Sequence, residues 1–256
     1  GMKASDVRTA ARAVEAAVRL SPDLPETRRA AGRYQDIGLN NHVYALKGYT
    51  TNLGNDLHLV IGGAFTAAPG AGVSANRILQ RTQTIMSGSW VALGEGFNAA
   101  VYAIERYGNG LNARTYAAGA FTHTSSGGTQ LNRIAFFTGS PGSWQPVGTG
   151  VGFNNYVHTL KAAGGFLYAA GAFTSVDGVP VNRMAKWNGT TWSDASGGAN
   201  NEVFAMQAYN TELIAGGQFN AVQTNVQAAG VGRLRINGLP WFVTQPVSQS
   251  VQCNQQ

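Results

Sequence analysis

Four markers recur in the same order four times along this chain, and that pattern restricts its fold more than any other feature. The first is a Gly-containing tripeptide followed by Phe: Gly62-Gly63-Ala64-Phe65, Ala118-Gly119-Ala120-Phe121, Ala170-Gly171-Ala172-Phe173 and Gly216-Gly217-Gln218-Phe219. The phenylalanines lie 56, 52 and 46 residues apart. The second is an Arg-aliphatic pair: Asn76-Arg77-Ile78, Asn132-Arg133-Ile134, Asn182-Arg183-Met184 and Gly232-Arg233-Leu234, with arginines 56, 50 and 50 apart. The third is Trp90, Trp144, Trp192 and Trp241, and the fourth is the run Val43–Leu46, Val101–Ile104, Val157–Leu160 and Val203–Met206. A unit of this length cannot bury its apolar face alone and must stack on its neighbours.

Each unit reads as four short strands. An alternating first strand such as Val101-Tyr102-Ala103-Ile104 turns at Asn109-Gly110 or Gly164-Gly165, dipeptides suited to tight hairpins. An apolar second strand ends at the marker glycine, and the third starts at the Asn-Arg pair. A turn such as Asn188-Gly189 leads to the Trp strand. Four antiparallel strands per unit define a β-propeller blade, so the expected fold is all-β. The expected divisions are a leader over 1–33, propeller repeats over 34–243 (about 43–94, 101–148, 157–197 and 203–243) and a tail over 244–256. Tyr34–Gly38 matches a Trp strand and adds one N-terminal strand. Two strands then compete for one closing place. The expectation is a small closed ring; an open array would leave sheet edges that pair with another chain, which makes an oligomer the consequence of non-closure.

The stretch Ala170-Gly171-Ala172-Phe173-Thr174, with Asn182-Arg183-Met184-Ala185-Lys186-Trp187-Asn188-Gly189-Thr190-Thr191-Trp192, resembles the kelch repeat. It resembles still more the "GGxFT…NxIAxWxGxxW" repeats of extracellular bacterial propellers, and it is similar to repeats of fungal cortical-marker proteins. The resemblance spans residues 34–243. It implies a surface or secreted modular protein whose repeats are structural and whose activity is mostly unknown.

Composition then excludes several alternatives. The chain is 44% hydrophobic and 12% charged, the reverse of a disordered chain, and has no apolar run long enough to span a membrane. The net charge is +6, but the first 33 residues hold seven bases against four acids and the other 223 hold eleven against eight. So diffuse an excess makes no phosphate track, and no nucleic-acid partner is expected. Gly1 before Met2 reads as a cloning remnant. Residues 4–20 form an amphipathic helical pattern, with Val7, Ala11, Val14 and Val18 on one face and Arg8, Arg12, Glu15 and Arg19 elsewhere. The charges break any signal-peptide core. The helix reads either as a docking or targeting element or as a loosely packed leader. The tail Thr244–Cys253 resembles the first strand of a bacterial immunoglobulin-like domain whose second cysteine would lie further on; a plain terminal extension is the other reading.

Signs of chemistry are sparse. One cysteine, Cys253, supplies neither a disulfide framework nor a Cys-based zinc site. His42, His58, His123 and His158 lack metal-ligand spacing, and His158 takes the position of Tyr44, Tyr102 and Phe204 in the other units. No metal and no cofactor are expected. A kelch-type copper oxidase would need a Tyr–Cys pair, and the body of the chain has no Cys. A sialidase-type Asp-box would need Ser-x-Asp where Asn188–Thr191 stands. The acids Asp36, Asp56, Glu95, Glu105, Asp177, Asp194, Glu202 and Glu212 keep no common register.

The sharpest candidate is the arginine register, Arg77, Arg133, Arg183 and Arg233, which would ring one propeller face. It reads either as a cationic site for carboxylate or sulfate groups or as repeated loop support. The expected function is a non-catalytic binding or scaffolding module for a protein or glycan. The alternative is a glycan-active hydrolase or lyase with its site in the channel, which would need two converging carboxylates.

Overall fold

The computed structural model of the protein describes residues 37–51, 56–83, 88–139, 142–222 and 226–236. The expected helix over 4–20, Tyr34–Asp36, the Trp241 strand and the tail with Cys253 lie outside the described residues. Ile37 and Gly38 are described and are not in a strand.

Among the described residues the regular structure is β throughout, apart from two short 3-10 turns at Pro69–Ala71 and Gly110–Asn112. The first unit holds β1 (Val43–Thr51), β2 (Asp56–Gly63), β3 (Ala67–Ala68), β4 (Val73–Ser74), β5 (Ile78–Gln83) and β6 (Gly88–Ala92). The second holds β7 (Val101–Tyr107), β8 (Arg114–Gly119), β9 (Ile134–Phe137) and β10 (Trp144–Pro146). The third holds β11 (Val157–Ala163), β12 (Phe166–Gly171), β13 (Ser175–Val176), β14 (Val179–Pro180), β15 (Met184–Trp187) and β16 (Trp192–Asp194). The fourth holds β17 (Val203–Tyr209), β18 (Glu212–Gly217), β19 (Ala221–Val222), β20 (Val226–Gln227) and β21 (Val231–Arg235). Each unit folds into its own antiparallel sheet: β1-β2-β5-β6, β7-β8-β9-β10, β11-β12-β15-β16 and β17-β18-β21. The pairs β3–β4, β13–β14 and β19–β20 form small ribbons in the loop after the second strand of the first, third and fourth units. Among the described residues no helix is long and apolar enough to cross a membrane.

The first strands form the spine. β1 packs on β7, β7 on β11 and β11 on β17. No such packing joins β17 back to β1 among the described residues, so the ring closure expected from strand counting is not found. Three apolar cores lie between successive sheets. Val60 and Ile78 meet Ile104 and Ala117 in the first, Tyr116 and Ile134 meet Leu160 and Ala169 in the second, and Tyr168 and Met184 meet Met206 and Ala215 in the third. Small residues of each sheet thus receive the large residues of the sheet before it, as alternating pleats require. Ile104, Leu160 and Met206 are 7%, 5% and 7% exposed, a burial that contributes about 1.5–3 kcal/mol each. Their counterpart Leu46 is 36% exposed, because among the described residues no further sheet covers it.

The marker glycine has a steric cause. A Cβ at Gly63, Gly119, Gly171 or Gly217 would collide with the carbonyl oxygen of His42, Ala100, Tyr156 or Glu202. Those oxygens accept hydrogen bonds from the next residue's N–H, Ala64, Ala120, Ala172 and Gln218, at 2.8–2.9 Å. The marker phenylalanines behind them are all buried. The hairpin at Gly164-Gly165 forms as expected, with both residues at positive φ. The β7–β8 hairpin also turns around Asn109-Gly110, but not as a tight two-residue turn. Asn109 stays extended and the connection lengthens through the 3-10 turn.

Candidate functional site

Every first strand slips register at one place: between Val43 and Ala45, Val101 and Ala103, Val157 and Thr159, and Val203 and Ala205. The bulged residues are Tyr44, Tyr102, His158 and Phe204. A bulge leaves its residue out of the ladder and re-aims its side chain. Four rings therefore stand on the first strands of successive units and touch in sequence. Centroids are 5.4 Å apart for Tyr44–Tyr102, 5.8 Å for Tyr102–His158 and 5.4 Å for His158–Phe204. Tyr156 joins beside Tyr102 at 6.4 Å, and His42 stacks on Tyr44 at 6.0 Å. Tyr44, Tyr156 and Phe204 are 50%, 43% and 44% exposed. Partial burial, with the Tyr44 and Tyr156 hydroxyls beside it, pushes the Tyr102 hydroxyl above the usual phenol range. The row stays neutral there at physiological pH. Its polar fringe is His158 Nε2, 3.3 Å from Glu202 Oε2.

The arginine register divides. Arg77, Arg133 and Arg183 occupy one equivalent position just before β5, β9 and β15. Each has positive φ (67°, 77° and 63°), and each carbonyl accepts the N–H of its marker glycine at 2.9–3.0 Å. Their guanidinium groups donate to loop carbonyls: Arg77 to Phe97 at 2.7 Å, Arg133 to Ala120 at 3.3 Å and Arg183 to Phe173 at 3.5 Å. Arg133 also lies over the Tyr156 ring at 5.4 Å and so backs the aromatic row. The fourth equivalent is Gly230, not Arg233. Gly230 has φ 77° and its carbonyl accepts the Gly217 N–H at 2.9 Å. Arg233 sits within β21 opposite Ile214, with Nη1 3.6 Å from Glu212 Oε1. The expected four-arginine ring is therefore not formed.

A second recurring device went unread in the sequence. Asn40, Asn98, Asn154 and Asn200 each precede a first strand and clamp the turn after its partner strand. The Oδ1 atoms accept two successive backbone N–H groups, Thr66 and Ala67, Thr122 and His123, Thr174 and Ser175, and Asn220 and Ala221, at 2.8–3.2 Å. The asparagines recur at nearly the period of the markers, a signal hidden by the general abundance of Asn and Gly in those loops.

The acids tie neighbouring units and their connecting loops together. Glu105 is buried between Lys47 and Lys161, and Asp177 accepts from the Thr149 and Gly152 N–H groups at 2.8 and 2.7 Å. A hydrogen bond from Ser126 lowers the carboxyl pKa of Glu95. Among the described residues no group of three His, Cys, Asp or Glu could hold a metal ion.

No protein-family model matches the chain, and no curated protein matches it. Among solved structures it is similar to the computationally designed Ika4 protein, at 14% identity over 80% of this chain and 98% of that one, with a TM-score of 0.44. It is also similar to the computationally designed Ika8 protein, at 13% identity over 80% and 76%, with a TM-score of 0.28. Neither score reaches that of a shared fold.

Proposed function

We propose that the protein is a non-catalytic binding module, an arc of kelch-like propeller blades in a surface or secreted protein, and that its aromatic row binds an extended glycan. The single observation behind this reading is the row itself. Two of the four bulged rings, Tyr44 and Phe204, and Tyr156 beside them are left near half exposed, and so forgo burial that a purely structural site would take. Sugar rings offer a C–H face that packs on aromatic faces, and a line of rings about one sugar apart suits a linear repeating ligand. The bulges hold the rings without a ligand, so little conformational freedom is lost on binding.

Affinity electrophoresis in gels containing neutral hydroxyethyl cellulose tests the reading. The native chain is expected to be retarded, and Tyr102→Ala to weaken binding about five- to tenfold while its thermal melt is kept. A native chain that runs unretarded, or an Ala variant that binds equally well, refutes it.

A further inference from the structure

A cavity of about 580 Å³ lies between the second and third sheets, at the hairpin end, away from the bulges that carry the aromatic row. Its size is that of a small-molecule site. It exists because two repeats differ. Ala162 and Ala163 of β11 stand where β7 carries Arg106 and Tyr107. At the interface before it, the Arg106 guanidinium lies 4.3 Å over the Tyr49 ring and occupies the corresponding space. The facing wall is also particular to this interface. Arg114 takes the place of His58, Phe166 and Glu212 in the other units. Phe136 takes the place of Gln80, Lys186 and Arg233. Ala163 stands where the other three units carry Tyr49, Tyr107 and Tyr209, while the positions of Ala162, Arg114 and Phe136 vary from unit to unit.

The wall is an aromatic box with two arginines, Arg114 and Arg106, the second of which lies over Tyr49 of the neighbouring unit. The Arg114 guanidinium lies 4.6 Å over Phe136, and Tyr116 and Trp187 close the sides. Tyr107 braces the two sheets, donating to the carbonyls of Gly165 at 3.0 Å and Trp187 at 3.4 Å. No acid lines the cavity, and Arg114 makes no ion pair among the described residues. A planar guanidinium held on a ring presents its N–H fork to a carboxylate, and the surrounding rings accept a flat apolar body.

We propose that this cavity binds a small aromatic carboxylate, with the ring against Phe136, Tyr116 and Trp187 and the carboxylate on Arg114. The site is independent of the glycan reading.

Titration of the full chain with 4-fluorobenzoate, followed by fluorine NMR, tests the proposal, with neutral 4-fluorobenzamide as control. The expected result is saturable binding of the acid at one site per chain, with the amide at least about tenfold weaker. Arg114→Gln should weaken the acid by a similar factor and leave the amide unchanged. Ala162→Arg, which restores the side chain of the preceding unit, should abolish both. Arg114 is exposed, so its variant stands as the test whether or not Ala162→Arg folds. Tyr102→Ala should bind the acid like the native chain, which separates this site from the aromatic row. No saturable shift, equal affinity for acid and amide, or unchanged binding by Arg114→Gln overturns the proposal.

Discussion

Arg77, Arg133 and Arg183 hold a left-handed backbone that L-residues other than Gly adopt at a cost of about 1–2 kcal/mol. The fourth unit meets the same demand with Gly230. The recurring requirement is thus for the backbone conformation, and the guanidinium contacts with loop carbonyls offset part of its cost. Arg183→Ala keeps the strain and loses the contact, whereas Arg183→Gly relieves the strain. Urea unfolding should find the Gly variant about 1 kcal/mol more stable than the Ala variant. Equal stabilities would show that the contact, not the backbone, explains the marker. The residues were visible in the sequence but their reason was not, since φ is not written in a side chain's identity. The assignment of Arg233 failed for a related cause. The sequence had placed the third strand of the fourth unit three residues late, so Arg233 falls inside β21 while Gly230 takes the position that precedes the strand in the other units.

Within single strands, the period-two alternation and the Gly-Gly turn predicted the hairpins well where two residues at positive φ suffice, as between β11 and β12. The bulges were invisible, because an extra residue leaves local composition unchanged. Only the equivalence of Tyr44, Tyr102, His158 and Phe204 could be seen beforehand. The first hairpin, β1–β2, also carries a titrating group. His58 stacks on Tyr49 at 4.8 Å, accepts at Nδ1 from Gln80 Nε2 at 3.2 Å and lies 2.8 Å from Thr51 Oγ1 through Nε2. Burial first, and Arg106 with it, lowers its pKa, against a smaller upward pull from Asp56. The folded state then binds the proton less readily than the unfolded chain does. This contribution is present above the ordinary histidine range and is lost as the pH falls through about 6.5. Thermal melts should drop between pH 7.5 and pH 5.5, and His58→Gln should flatten that slope. An unchanged slope would place the sensitivity elsewhere.

At the level of the whole chain, four sheets stack in series and each core is shared by neighbours alone. Stability in such an array is a sum of unit and interface contributions, so units flanked on both sides are the most protected. Hydrogen exchange should be slowest in β8 and β12 and faster in β18, where Ile214 lies on the outer side of the last described sheet. Uniform protection would mean that the ends are joined into one cooperative ring. Strand order, hairpin positions and the fourfold period follow from residue order alone, because spacing and alternation are local properties of a chain. The aromatic row, the asparagine clamps and the cavity between the second and third sheets do not. Each is made where residues from different strands or units meet. The cavity in particular depends on small side chains at Ala162 and Ala163 facing large ones on the sheet before, a match that exists only once the sheets are stacked.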